Sequence, residues 1–219
     1  MPVRIRDAAV ASAMFAVPAK AAQALIAYSG LEVFSPVASR ALCSLAVIRY
    51  ADGDLGPYHE FAVAFLVREP GSKKTGAFIH WLPVNQSFTL EAGRSIWGFP
   101  KVMADIAIDL SSRIKRCLVR LDGREVIELA IKPGAPMPGG AGTPKIDAYS
   151  CLDGVTRRTP WTMSPKAVRM RPGGTRIRLG DHPIAQELRE LGLDGAHALS
   201  SSTVGHLAME FGPAVEVTA

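Results

Sequence analysis

The sequence predicts a β-rich α+β fold, an antiparallel sheet closing into a barrel-like core with a few short flanking helices. Much of the chain from Leu42 to Ile131 divides into segments rich in Val, Ile, Leu and Phe, parted by Gly, Pro or Asp. Helical signals are few. The pairs Asp122-Gly123 and Asp153-Gly154 have the chemistry of tight hairpin turns. Many short strands favour a sheet that closes or folds on itself, because closure removes exposed edges.

Pro18 to Tyr28 reads as the first helix, closed by Gly30. Strands follow over Leu42 to Tyr50, Tyr58 to Arg68 and Thr75 to Val84, and a short turn of helix lies around Ser87 to Ile96. Val102 to Leu110, Ile114 to Leu121 and Glu125 to Ile131 continue the strand pattern, the last two joined through Asp122-Gly123. Pro133 to Pro144, dense in Pro and Gly, is a loop with strand-like sequence on both sides. Leu152-Asp153-Gly154-Val155 repeats the hairpin chemistry, and Lys166 to Met170, Thr175 to Leu179 and Ala214 to Val217 are further strands. Asp181 to Leu191 is the clearest helix: Asp181 caps it, Pro183 suits an early position, Leu188 and Leu191 share a face and Gly192 ends it.

With 219 residues, 48% of them hydrophobic, the chain can bury one good core, and a single domain over residues 1–219 is expected. The net charge of +5 suits an anionic substrate or another acidic partner. Cys43, Cys117 and Cys151 lie far apart without a CxxC pair. Neither a zinc site nor a disulfide framework is suggested, and a cytoplasmic location fits. Arg4 and Arg6 before Ala8 to Val17 imitate a signal peptide only faintly, and Asp7 argues against one. No apolar stretch approaches the ~20 residues that a membrane helix needs.

Nucleotide loops, HExxH and the GxSxG elbow are absent, so those chemistries lack their residues. His59, His80, His182, His197 and His206 are scattered without ligand spacing, and no metal is expected. Arg169, Arg171, Arg176 and Arg178 alternate around Pro172-Gly173-Gly174, as an anion-binding strip or the solvated face of a hairpin would. With no aromatic residues between them for base stacking, a nucleic-acid partner is not expected.

The segment Gly93-Arg94-Ser95-Ile96-Trp97-Gly98-Phe99-Pro100-Lys101-Val102-Met103 sets one lysine among apolar and aromatic neighbours. Pro100 keeps Phe99 out of the helical region, so the chain turns extended as Lys101 begins a strand. Alternation then puts Lys101, Met103 and Asp105 on one face and Val102, Ala104 and Ile106 on the other. From spacing alone, Lys101 either lays its stem on apolar surface with its ammonium in water or points inward.

This stretch resembles the signature of the acetoacetate decarboxylase family, in which a Gly-Arg, an aromatic and then Pro-Lys precede a strand. Tyr58-His59-Glu60-Phe61, Gly174-Thr175-Arg176-Ile177 through Asp181-His182, and Ser200-Ser201-Ser202 through Ala214-Val215-Glu216-Val217 resemble the family in order and spacing. The similarity runs from about Met14 to the C-terminus. It implies that Lys101 is the Schiff-base lysine, that Glu60 is an active-site carboxylate, that Arg94 belongs to the substrate site and that no cofactor is needed. Trp81, Trp97, Phe99 and Met103 are available as pocket walls or as ordinary core. The chain departs from the family in having Val102 where many members have a second lysine, and no acid from Leu42 to Tyr50, where the family's decarboxylases have a glutamate. Arg4 or Arg6 would have to stand in for a family arginine near the N-terminus.

The resemblance implies a cofactor-free lyase acting on a small keto acid, most simply by decarboxylating a β-keto acid. Aldol addition and dehydration of a 2-oxo acid such as pyruvate with an aldehyde follows the same iminium-to-enamine path. A non-catalytic relative that binds a small carbonyl compound is the alternative of a different class. Family members are assemblies, so a homo-oligomer without a membrane partner is expected.

Overall fold

The computed structural model describes residues 2–37, 39–137 and 142–217. In chain order the elements are β1 (Val3–Pro18), α1 (Ala19–Ile26), β2 (Glu32–Val33), β3 (Arg40–Gly53), β4 (Tyr58–Arg68), β5 (Gly76–Val84), α2 (Ser87–Trp97), β6 (Lys101–Met103), β7 (Asp105–Asp109), β8 (Lys115–Leu121), β9 (Arg124–Ile131), β10 (Ala135–Pro136), β11 (Lys145–Leu152), β12 (Val155–Pro172), β13 (Thr175–Leu179), α3 (Pro183–Glu190), β14 (Ser200–Phe211) and β15 (Val215–Glu216). The fold is strand-rich α+β with short helices, as predicted.

In the larger sheet β4 pairs with β3, β3 with β1, β1 with β14, β14 with β12, β12 with β11 and β11 with β5, and β5 returns to β4 to complete a ring of paired strands. Most pairings are antiparallel, as expected, but β5 runs parallel to both β6 and β11. A smaller sheet, β13-β9-β8-β7, lies beside the ring.

Sequence alternation assigns each ring strand two faces. Phe15, Cys43, Leu45, Phe61, Val63 and Phe65 belong to a core that also includes Val119, Ile127 and Leu129 of the smaller sheet, Ile26 of α1 and Leu188 of α3. The intervening residues Ile48, Ala62 and Ala64 turn the other way, into a second cluster with Ile79, Trp97 and Phe99. Burying each large aliphatic or aromatic side chain contributes ~1.5–3 kcal/mol, so the outer core anchors the ring while its inner face is left for a site.

Several elements differ from expectation. β1 and β14 are long strands where no strand was read, because alanine is frequent in β1 and serine in β14, and both weaken the β-branched signal. Val102 to Leu110 divides into β6 and β7, which belong to different sheets. Pro172-Gly173-Gly174 is no hairpin: β12 pairs within the ring and β13 with β9. Arg169 and Arg171 therefore line a surface groove with Arg49, Arg113 and Lys132, while Arg178 pairs with Glu125 and Glu128 at 3.0 Å. Within the expected Pro133 to Pro144 loop, Ala135–Pro136 pairs with β12 and residues 138–141 lie outside the described residues. All of Cys43, Cys117 and Cys151 are free and buried. No helix is long and apolar enough to cross a membrane among the described residues.

Candidate active site

The β3–β4 hairpin supplies the first half of the site. Its register sets Tyr50 opposite Tyr58 and Ile48 opposite Glu60, so alternation brings Tyr50, Tyr58 and Glu60 to the inner face together. The two tyrosine rings stack with centroids 4.1 Å apart.

Helix α2 supplies the second half. Gln86 caps it by accepting from the Thr89 N–H at 2.7 Å, and Thr89, Gly93 and Trp97, spaced four apart, form its buried stripe. The helix ends at Gly98, whose φ of 64° is left-handed and whose N–H returns to the Arg94 carbonyl. Pro100 then forces the extended turn, and β6 delivers Lys101 beside Leu82 of β5.

Lys101 is 2% exposed and Glu60 5% exposed, so the lysine is turned inward and does not reach solvent. Its Nζ donates to Thr89 Oγ1 at 2.8 Å, stands 3.0 Å from Glu60 Oε2 and lies 4.9 Å from the centre of the Tyr58 ring. Tyr50 donates its hydroxyl to the other oxygen, Glu60 Oε1, at 2.7 Å. Each polar atom of the group thus has a partner, as a buried charge pair requires. Burial first, and then the Glu60 carboxylate, pushes the Tyr50 and Tyr58 hydroxyls well above the ordinary tyrosine value. Tyr50 is therefore a committed donor at neutral pH.

The group opens onto a chamber of about 380 Å³ inside the ring of strands. Apart from the tyrosines, Lys101 and Glu60 are the only ionisable side chains among the described residues that line it. A nucleophilic amine, a carboxylate within proton-transfer distance and apolar walls can together add to a carbonyl and shuttle the protons that addition and dehydration require.

A sequence profile of the acetoacetate decarboxylase family matches residues 1–212. The chain belongs to that family. The crystal structure of acetoacetate decarboxylase from Legionella pneumophila superimposes with a TM-score of 0.76 at 16% identity, covering 100% of this chain and 88% of the other. The enduracididine biosynthesis enzyme MppR in complex with pyruvate superimposes at 0.74 with 14% identity, over 100% of this chain and 91% of MppR. An acetoacetate decarboxylase-like enzyme from Sphingomonas wittichii gives 0.68 at 14%, over 100% of this chain and 93% of the other. At such identities these likenesses speak to the fold. No curated protein matches the chain.

The structure brings together Lys101, Glu60, Trp97 and Phe99, all of which line the chamber of this decarboxylase-family chain. It separates Trp81, Met103 and Arg94 from them. A register shift between β4 and β5 accommodates His80 as an extra residue, so Trp81 packs against Phe61 in the outer core while His80 meets Glu187 of α3 at 2.6 Å. Met103 is 47% exposed, because β6 ends there and the chain crosses to the smaller sheet. Arg94 lies on the exposed side of α2 and donates to the Lys101 carbonyl at 3.3 Å. Arg4 and Arg6 are bound at the surface by Glu210, Asp52 and Asp54. His59 points away from Glu60, with Nδ1 3.4 Å from the Ile106 carbonyl oxygen.

Tyr50, Tyr58 and Thr89 are the site residues that the sequence reading missed. Tyr58 was signalled by its position two before Glu60, which puts both on one strand face. Thr89 was signalled by its helical spacing from Gly93. For Tyr50 only a correct hairpin register would have served.

Proposed function

We propose that the chain is a cofactor-free Schiff-base lyase that decarboxylates a β-keto acid through Lys101. The observation that supports it is the Lys101 amine buried 3.0 Å from Glu60 in a chamber that, among the described residues, is lined by no other ammonium or guanidinium group.

Glu60 takes a proton from Lys101, freeing the lone pair that attacks the substrate carbonyl. The resulting carbinolamine loses its hydroxyl as water, with the proton returned by Glu60, and an iminium forms. The bond between the carboxylate and the α-carbon then breaks. Carbon dioxide leaves and its bonding electrons pass to the iminium nitrogen as an enamine; Glu60 then takes up a proton from solvent and hands it to the α-carbon, which restores the iminium. Water adds and releases the ketone and the free lysine. Tyr50 holds Glu60 in place throughout.

The apolar lining favours decarboxylation over aldol chemistry on a 2-oxo acid. A carboxylate that survives the reaction needs a cation to hold it, and among the described residues the chamber has none beyond Lys101. One that departs as carbon dioxide leaves no charge behind, so desolvation pushes the reaction forward. Borohydride trapping tests the proposal: acetoacetate should leave a mass increase on Lys101 that Lys101→Ala lacks, with release of carbon dioxide. Pyruvate with an aldehyde yielding an unsaturated adduct, and no carbon dioxide from any β-keto acid, would turn the assignment to the aldolase-dehydratase.

A further inference from the structure

We infer that the preferred substrate carries a long apolar tail, making it a medium-chain β-keto acid in place of acetoacetate. This rests on the Schiff-base reading above and names its substrate class.

The chamber continues well past the amine. Strand pairing arranges its inward residues in tiers across β14, β1, β3 and β4. Val204, Val10 and Ile48 stand level with Glu60, followed by a tier of Ser202, Ser12, Ala46 and Ala62. Beyond it come Met14, Ser44, Ala64 and, on β5, Ile79. All of these line the same cavity as Lys101. Successive tiers are two residues apart, so at ~3.4 Å per residue the void runs ~14 Å beyond Glu60.

Small side chains create that depth. A leucine at Ala46 or Ala62 would fill the middle tier, as leucines and phenylalanines fill the outer face of the same strands. The tier does not ask for a polar ligand either, since Ser12 and Ser202 hydrogen-bond to each other at 2.9 Å. Met14, Met137, Met163, Met170 and Met209 contribute much of the remaining wall. Their unbranched, polarizable side chains conform to an alkyl chain better than to one fixed small shape.

Volume separates the two substrate sizes. At ~30 Å³ per water-sized group, the cavity of about 380 Å³ holds roughly a dozen such groups, whereas acetoacetate brings about seven non-hydrogen atoms. An occupant that leaves the inner tiers empty forgoes the apolar contact they offer.

The test uses the whole chain and two homologous series. Methyl ketones from acetone to undecanone are titrated calorimetrically. Decarboxylation is followed from acetoacetate through the hexanoic, octanoic, decanoic and dodecanoic β-keto acids. Ketone affinity and kcat/KM should each rise roughly three- to fourfold per added methylene until the chamber is full, near the octanoic or decanoic member. Ala46→Leu and Ala62→Leu, on neighbouring strands and checked for folding by circular dichroism, should each move that limit to shorter chains. Ketone affinity that is flat or falls with length, or no ketone binding at all, overturns the inference. Failure of the Schiff-base reading looks different: affinity still climbs with ketone length, but borohydride leaves no adduct on Lys101.

Discussion

A Cβ atom placed on Gly93 would fall 2.6 Å from Cδ and 2.7 Å from Cε of Lys101. The lysine reaches Thr89 and Glu60 only by lying across the bare backbone of α2 at this point. Gly93→Ala should therefore swing the amine out of its two hydrogen-bonding contacts. Displacing a reacting group by ~1 Å can cost ~100-fold in rate. Overpacking costs ~1–3 kcal/mol, offset by ~1 kcal/mol because alanine is the better helix former. The expected outcome is a folded protein with a Tm lowered by at most ~8 °C and kcat/KM reduced about a hundredfold. Wild-type kinetics in Gly93→Ala would show that Lys101 has another route to its substrate.

In the proposed mechanism Glu60 has two functions that separate by substitution. Glu60→Gln keeps the shape and a hydrogen-bond acceptor but removes the proton carrier, so turnover should fall by ~100- to 10,000-fold with the fold intact. Glu60→Ala also leaves the Lys101 charge buried without its partner, which costs ~3–5 kcal/mol. Steady-state kinetics with thermal melts of both variants distinguish the two effects. If Glu60→Gln turned over substrate at the wild-type rate, another group would have to move the protons.

Tyr50→Phe removes one hydrogen bond, the 2.7 Å contact to Glu60 Oε1. A buried hydrogen bond to a charged group contributes ~1.5–3 kcal/mol, which for a chain of this size lowers Tm by roughly 3–12 °C. The rate should fall too, because the carboxylate then has a free oxygen and a less fixed orientation. A scanning melt without any shift would mean that the hydroxyl leaves Glu60 unsupported in solution.

The strands of the β3–β4–β5 region and the position of Lys101 were legible because long hydrophobic runs and the Phe-Pro-Lys turn are local features. The inward direction of Lys101 was not local: it depends on Gly93 clearing its path and on Glu60 arriving from a hairpin forty residues earlier, so spacing left the snorkelling alternative open. Trp81 is core and not pocket wall because a single extra residue, His80, reverses alternation in β5 and leaves no mark in composition. β1 and β14 were overlooked for a functional reason. The small residues that hollow the chamber are the ones that weaken a strand signal, so Ser12 and Ser202 hid both the element and the cavity.

Burial pushes the thiols of Cys43 and Cys117 up to about 12. Alkylation needs the thiolate, so both should resist iodoacetamide at pH 8 in the folded protein and react readily in denaturant. Mass spectrometry of labelled peptides before and after unfolding checks this. Rapid labelling of either cysteine without denaturant would place it outside the core.

All four tyrosines, Tyr28, Tyr50, Tyr58 and Tyr149, have hydroxyls raised above their ordinary value, chiefly because burial disfavours the phenolate. For an acid whose folded value is raised, the native state holds its proton more tightly than the unfolded chain. The associated stability is complete below the unfolded value near ~10 and is lost as the pH climbs past it. Tyrosinate absorbance from Tyr50 and Tyr58 should therefore be missing near pH 10 and should emerge with alkaline unfolding, in step with loss of the circular dichroism signal. Because Tyr50 and Tyr58 face Glu60, their ionisation would set further negative charge against a buried carboxylate, and activity should vanish in the same transition. A separate titration of Tyr50 or Tyr58 close to pH 10 with secondary structure intact, assigned by comparison with Tyr50→Phe and Tyr58→Phe, would show that water reaches these hydroxyls and that the chamber around Lys101 is not dry.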